Sequence, residues 1–149
     1  MCPTAEPSRA QSRLPNGPAG YFAVPVKVRW TLCGLQFGLI ALLSLLPAWL
    51  MPPAPARVPG IDKFVHLAMY AVLGVLLRWA AEERPSRIAG WGWPLAGAGY
   101  GLLMETCQLW LAAGGRSFSW ADAAANLLGV VAAWRVAGWG FKRRATRPR

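Results

Sequence analysis

The sequence is short of the residues from which local motifs build catalytic or metal centres. Its 149 residues include one histidine and three cysteines, and Cys2, Cys33 and Cys107 stand far apart. An odd, scattered set of thiols excludes a disulfide framework and any motif of closely spaced thiolate ligands. Cys107 is therefore read as a small packing residue. A lone His66 in an apolar stretch is likewise read as a packed, hydrogen-bonded residue, so no metal and no cofactor is expected. No serine or cysteine lies in a nucleophile-elbow motif. Room for a second globular unit is also missing, which limits the chain to one domain. A secretory signal is not expected, because the first apolar run, 30–50, starts late and is longer than the usual signal core.

Basic and hydrophobic residues are plentiful instead. Sixteen Lys and Arg against six Asp and Glu give a net charge of +10, and 55% of the chain is hydrophobic. A nucleic-acid surface would gather the basic residues on one face of a folded domain. Here they sit between and outside long apolar runs, so no nucleic-acid partner is expected. About 20 apolar residues at 1.5 Å each cross about 30 Å of hydrocarbon. Four runs come close: 30–50, 64–81, 91–113 and 120–139. The first link is rich in proline, which removes backbone donors and disfavours helix before it. The second is charged, and the third holds Gly114 and Gly115, followed by Ser119 in position to cap a helix.

These features predict an all-α protein, a bundle of four transmembrane helices over 26–141. A Pro- and Gly-rich N-terminal tail over 1–25 is expected to be disordered, and 142–149 is expected to be a basic tail. Thirteen of the sixteen basic residues fall on the side of the termini and the second link; Arg57, Lys63 and Arg116 fall on the other. The positive-inside rule then places both termini in the cytoplasm, in a multi-pass membrane protein. The nine tryptophans group near the helix ends, as interfacial belts require.

The polar residues within the runs form stripes. Asp62, His66 and Tyr70 recur every four residues and share one helical face, with Lys63 at its edge. Glu105 and Gln108 line a second stripe with Gly101 and Ala112, and Asp122 and Asn126 a third with Gly129 and Ala133. Charged groups in a bilayer normally face a bundle interior, and small residues allow close helix approach. The three stripes are thus expected to face one another near the outer membrane face. Glu105 would lie about 12 Å below the boundary, at 1.5 Å per residue, with Arg116, Lys63 or His66 as its available partners.

The ordered series Asp62-Lys63-x-x-His66-x-x-x-Tyr70, Glu105-x-x-Gln108 and Arg116-x-x-Ser119-x-x-Asp122-x-x-x-Asn126-x-x-Gly129 resembles the VanZ-like family of bacterial membrane proteins. The resemblance spans about residues 30–140. It implies a helical membrane protein of the cell envelope, in a family named after a member associated with low-level resistance to the glycopeptide teicoplanin. It implies no particular reaction, and any link to antibiotic resistance rests on the resemblance alone.

Three function classes follow from the polar set. In the first, a site open to the outer leaflet binds an anionic envelope-lipid headgroup or a glycopeptide-like ligand. Lys63 and Arg116 would hold the anion, Gln108 and Asn126 would orient it, and Asp62, His66, Glu105 and Asp122 would tune charge. In the second, an enzyme acts on a lipid-linked substrate, with His66, Glu105 or Asp122 as catalytic candidates and Arg116 stabilising developing charge. In the third, the polar residues only join the helices into a scaffold. An ion path is disfavoured because the inner half lacks matching acidic residues. Membrane lipids are the expected partners, and oligomeric state is open.

Overall fold

A computed structural model describes residues 24–46, 50, 60–83, 87–111 and 118–145. Pro25 precedes the first helix, where its missing N–H costs no intrahelical bond, and its carbonyl accepts from the amides of Val28 and Arg29. Helix α1 then runs Val26–Leu45. It starts four residues before the apolar run and stops five short of its end, because Leu46 takes an extended conformation ahead of Pro47. Helix α2 is Ile61–Ala80, followed by a 3₁₀ turn at Ala81–Glu83; α3 is Arg87–Leu111 and α4 is Trp120–Ala145. Gly60 enters α2 with a φ of 84°, a left-handed conformation that glycine adopts without strain.

The described residues are thus all helical, with four helices of 20 to 26 residues. At 1.5 Å per residue each is about 30 Å or longer, enough to cross a bilayer. Among the described residues only α1 combines that length with a uniformly apolar composition. The other three are diluted by the polar stripes and by basic residues at their ends. Helix α4 also passes the expected limit at 139 and carries Lys142, Arg143 and Arg144 as helical residues, since Lys, Arg and Ala are good helix formers. The expected disordered tail over 1–25 falls almost wholly outside the described residues, as do the links carrying Arg57, Gly114, Gly115 and Arg116.

Helix α2 packs most extensively on α4. The two run parallel, and glycine sets their separation. A Cβ at Gly74 would collide with the carbonyl oxygen of Val130, and one at Gly129 with the carbonyl oxygen of Leu67. Backbones that close leave no room for any other residue, which is how transmembrane helices commonly associate. Helix α3 lies antiparallel to both: Gly97 faces Val130 and Leu77, and Gly101 faces Asn126 and Tyr70. The core between them is Tyr70, Leu73, Leu77, Met104, Val130 and Trp134, with Cys33 and Ile40 of α1 packed against it. Polar side chains also bind α1 to the rest, Arg29 by donating to the carbonyl of Trp79 at 3.2 Å. Gln36 donates to the carbonyl of Met69 at 3.1 Å, and the Tyr100 hydroxyl donates to that of Phe37 at 2.8 Å.

Polarity is distributed inside out. Glu105, Gln108, Asn126 and Ser44 are buried, while Leu35, Leu42, Phe64, Leu95, Leu128 and Val136 are exposed. Every helix contributes to this apolar exterior, far more than a soluble monomer normally presents to water.

A polar cluster where three helices converge

The start of α2, the end of α3 and the start of α4 meet at one end of the bundle. Three of the chain's six carboxylates and its single histidine lie there. The α2 stripe sinks as it proceeds: the Asp62 side chain is 56% exposed, that of His66 16%, and Tyr70 is fully buried. The four-residue spacing read from the sequence is therefore one line running from the surface into the core.

Glu105 is fully buried on α3, six residues before the last described residue of that helix. Its Oε2 accepts the backbone N–H of Ser119 at 3.3 Å, and its Oε1 lies 3.7 Å from His66 Nδ1. Of the partners expected for it, His66 is in place among the described residues. Lys63 is instead directed to Asp62 at 2.9 Å and to Asp122 at 3.5 Å, and Arg116 lies outside the described residues. The hydrogen bond from Lys63 holds the Asp62 carboxyl below its ordinary value of 3.8 and raises the Lys63 ammonium in turn. Both groups lie ahead of the apolar part of α2, which starts at Phe64.

Asn126 is 1% exposed, and its Oδ1 stands 3.1 Å from His66 Nδ1. One imidazole nitrogen therefore faces two oxygens, one on α3 and one on α4. Asp122 belongs to the first turn of α4, which Ser119 caps as the sequence suggested: the Asp122 N–H donates to Ser119 Oγ at 3.3 Å. The same serine binds Glu105 through its own N–H, so one residue fixes both the helix start and the buried carboxylate. Ligand atoms of His66, Glu105 and Asp122 all fall within 4.8 Å of one another.

Of the sequence-based candidates, the structure brings together Lys63, His66, Glu105, Asp122 and Asn126. Gln108 is buried on α3 one turn beyond Glu105, and Asp62 stays on the surface, tied among the described residues to Lys63. The backbone of Ser119 was not foreseen as a contributor, although its N-cap position implies a free N–H near the bundle end. Tyr70 was read as packing. It is that, and its hydroxyl is also a buried group with no hydrogen-bond partner among the described residues. Cys107 is half-buried against the core, which fits its reading as a packing residue.

An apolar groove of about 550 Å³ follows the α2–α4 contact. It starts at Leu67 and Gly129, next to His66 and Asn126 on the same helices, and runs past Ala133 and Val136 to Gly140 and Phe141. Alanine and glycine make up much of its lining, and none of the described residues that line it is charged.

The sequence profile of the family described as VanZ/LLP1 matches residues 16–140, which hold all four stripe-bearing and packing helices except the last turns of α4. No curated protein and no solved structure matches the chain.

Proposed function

The chain belongs to the VanZ/LLP1 family, and from that premise we propose that it is a multi-pass protein of the bacterial plasma membrane whose polar cluster binds the headgroup of an envelope lipid at the outer leaflet. The observation that carries this reading is the convergence of His66, Glu105, Asp122 and Asn126 on one another inside a bundle whose exterior is apolar. Water cannot pay for burying such groups within hydrocarbon, so they occur where helices shield them and a polar ligand or cavity meets them.

The orientation rests on the basic residues, which gather at the opposite end from the cluster. In this reading half-exposed Lys63 takes an anionic oxygen, and Asn126 and Gln108 orient the headgroup by hydrogen bonds. The groove supports a lipid over a free polar ligand. Its first residues, Leu67 and Gly129, follow His66 by one position and Asn126 by three, and it covers about 16 Å along α4 between Gly129 and Gly140, at 1.5 Å per residue, with a mainly apolar lining suited to an acyl chain.

The test is native mass spectrometry of the full chain extracted with its lipids, wild type against Glu105→Gln and Asn126→Ala. Wild type is expected to retain an anionic lipid that both variants lose at equal folded yield; equal retention would count against the site. Glycopeptide susceptibility of cells carrying the same variants reads whether a glycopeptide-like ligand shares it. Orientation is checked in a cysteine-free background: Asp62→Cys should react with an impermeant maleimide in intact cells, and Ala145→Cys only after permeabilisation.

A second reading is favoured by His66 standing between Glu105 and Asn126, the arrangement of an oriented general base. In it the same cluster hydrolyses or transfers a group on a lipid-linked substrate. Lipid mass spectrometry of wild-type and His66→Ala membranes separates the two, since an enzyme leaves a changed product and a binding site does not.

A further inference from the structure

The donor set in the cluster goes beyond what headgroup binding alone requires. It joins one imidazole nitrogen to two carboxylates from three different helices, with ligand atoms all within 4.8 Å. Mixed nitrogen and oxygen donors of this kind suit divalent cations of borderline softness, at bond lengths of about 2.0–2.2 Å. Two ligands on one such ion stand about 3–4 Å apart, as tetrahedral or octahedral geometry dictates. The distances from His66 Nδ1 to Asn126 Oδ1, 3.1 Å, and to Glu105 Oε1, 3.7 Å, fall in that interval.

A proton serves this arrangement poorly. Nδ1 carries at most one hydrogen, which can be donated well to one of the two facing oxygens and not to both. An ion in its place contacts the nitrogen and both oxygens together. Asp122 supplies a further donor, because among the described residues its buried Oδ1 has no hydrogen bond and Lys63 Nζ stands 3.5 Å away.

Two other buried groups point to a ligand independently of that donor set. The amide nitrogen of Asn126, 1% exposed, and the hydroxyl of Tyr70, fully buried, have no hydrogen-bond partner among the described residues. Both side chains border Gly101, one turn before Glu105, where an added Cβ would lie 3.2 Å from Asn126 Nδ2 and 3.1 Å from Tyr70 Cε1. The Asn126 amide, left open on the side chain whose Oδ1 faces His66, suits an oxygen bound to the ion, from water or from a phosphate.

We propose that His66, Glu105 and Asp122, with Asn126 Oδ1 as a fourth donor, form a binding site for one divalent cation of the zinc or manganese class. Ser119 orients Glu105 through its backbone N–H, the kind of outer contact that fixes a ligand in place. The ion's open position receives an anionic headgroup oxygen; that last step rests on the lipid reading above, whereas the ion itself does not.

The experiment uses the full chain in detergent, without a histidine tag, stripped with chelator and then titrated separately with Zn²⁺ and Mn²⁺. One ion per chain is expected after desalting, with nitrogen coupling from an imidazole in the Mn²⁺ spin-echo spectrum. His66→Gln and Asp122→Asn should each weaken binding at least about tenfold, the loss that even an outer-contact change produces at such centres, and the nitrogen coupling should vanish in the first. Thermal melting of each variant identifies any that fails to fold, and the coupling in wild type then decides alone. A folded wild type that binds no ion, or a His66→Gln variant that binds as tightly as wild type, overturns the site. Retained lipid is measured in parallel with and without chelator. Lipid held without metal removes the ion and leaves the lipid reading standing; metal held without lipid does the reverse.

Discussion

The two ends of this bundle use the same helices for opposite chemistry. At one end three arginines lie over indole rings: Arg29 over Trp79 at 5.1 Å, Arg78 over Trp134 at 5.4 Å and Arg135 over Trp91 at 4.8 Å. Trp30 and Trp93 pack with tilted rings, and Arg29 also donates to the carbonyl of Trp79. Each cation there has a broad, forgiving partner, and its long stem lets it reach water. At the other end His66, Glu105, Asp122 and Asn126 are short side chains gathered on one another, with Glu105 and Asn126 almost wholly out of solvent. Forgiving contacts suit an anchor in an interface, and demanding ones suit a site. Any functional sensitivity should therefore concentrate at the cluster end.

Matched substitutions can break that contrast. The largest effect is expected from glycine. Gly129→Ala drives a methyl into the backbone of Leu67 and Ala71, whereas Gly138→Ala meets only the movable side chain of Arg78. The first should cost about 2–3 kcal/mol, as overpacking of a tight core does, and the second about 0.5 kcal/mol or less. Unfolding of both in detergent measures the difference, and equal losses would place the rigid contact elsewhere. Next is Glu105→Ala, which leaves the Ser119 N–H unpaired in the interior. It should cost about 1–3 kcal/mol and abolish retention of anionic lipid, while Glu105→Gln keeps an acceptor for Ser119 and separates loss of function from loss of fold.

Smaller again is Arg78→Gln. Removing one cation–π pair should cost about 0.5–1 kcal/mol with lipid retention unchanged, and a large loss of retention would end the division between anchor and site. The smallest effect belongs to Asp62→Asn. The Asp62 carboxyl titrates below 3.8 because Lys63 donates to it, so the pair contributes at pH 7 and fades as pH falls through that lowered value. Both partners face water, which screens them, and melting at pH 7 should not move measurably.

Much of this contrast was legible along the chain. Apolar length located four helices, and Ser119 was placed as a cap. The four-residue recurrence of Asp62, His66 and Tyr70 identified one face, and the small residues Gly101 and Gly129 marked positions where helices approach. Pro47 in principle also held the true end of α1, but hydrophobicity alone carried the run on to residue 50. The end of α4 was misjudged for the converse reason: charge suggested a tail where Lys, Arg and Ala in fact continue a helix. His66 was the deeper case. Considered alone it is a packed residue, and its partners on α3 and α4 are 39 and 60 positions away.

What the sequence determined by itself is local and periodic: helix content, helix faces, the basic imbalance between the two ends, and family membership through an ordered series of residue types. Those properties depend on neighbours within a turn or on simple counting. The tertiary structure decided which oxygen faces His66, that Lys63 turns to Asp122 and not to Glu105, and that a backbone N–H of Ser119 holds the buried carboxylate. Such contacts depend on the rotation and separation of packed helices, which Gly74 and Gly129 fix through backbone approach and Gly101 through its contact with the Asn126 and Tyr70 side chains. No spacing along the chain records that distance, because it arises only when two helices touch.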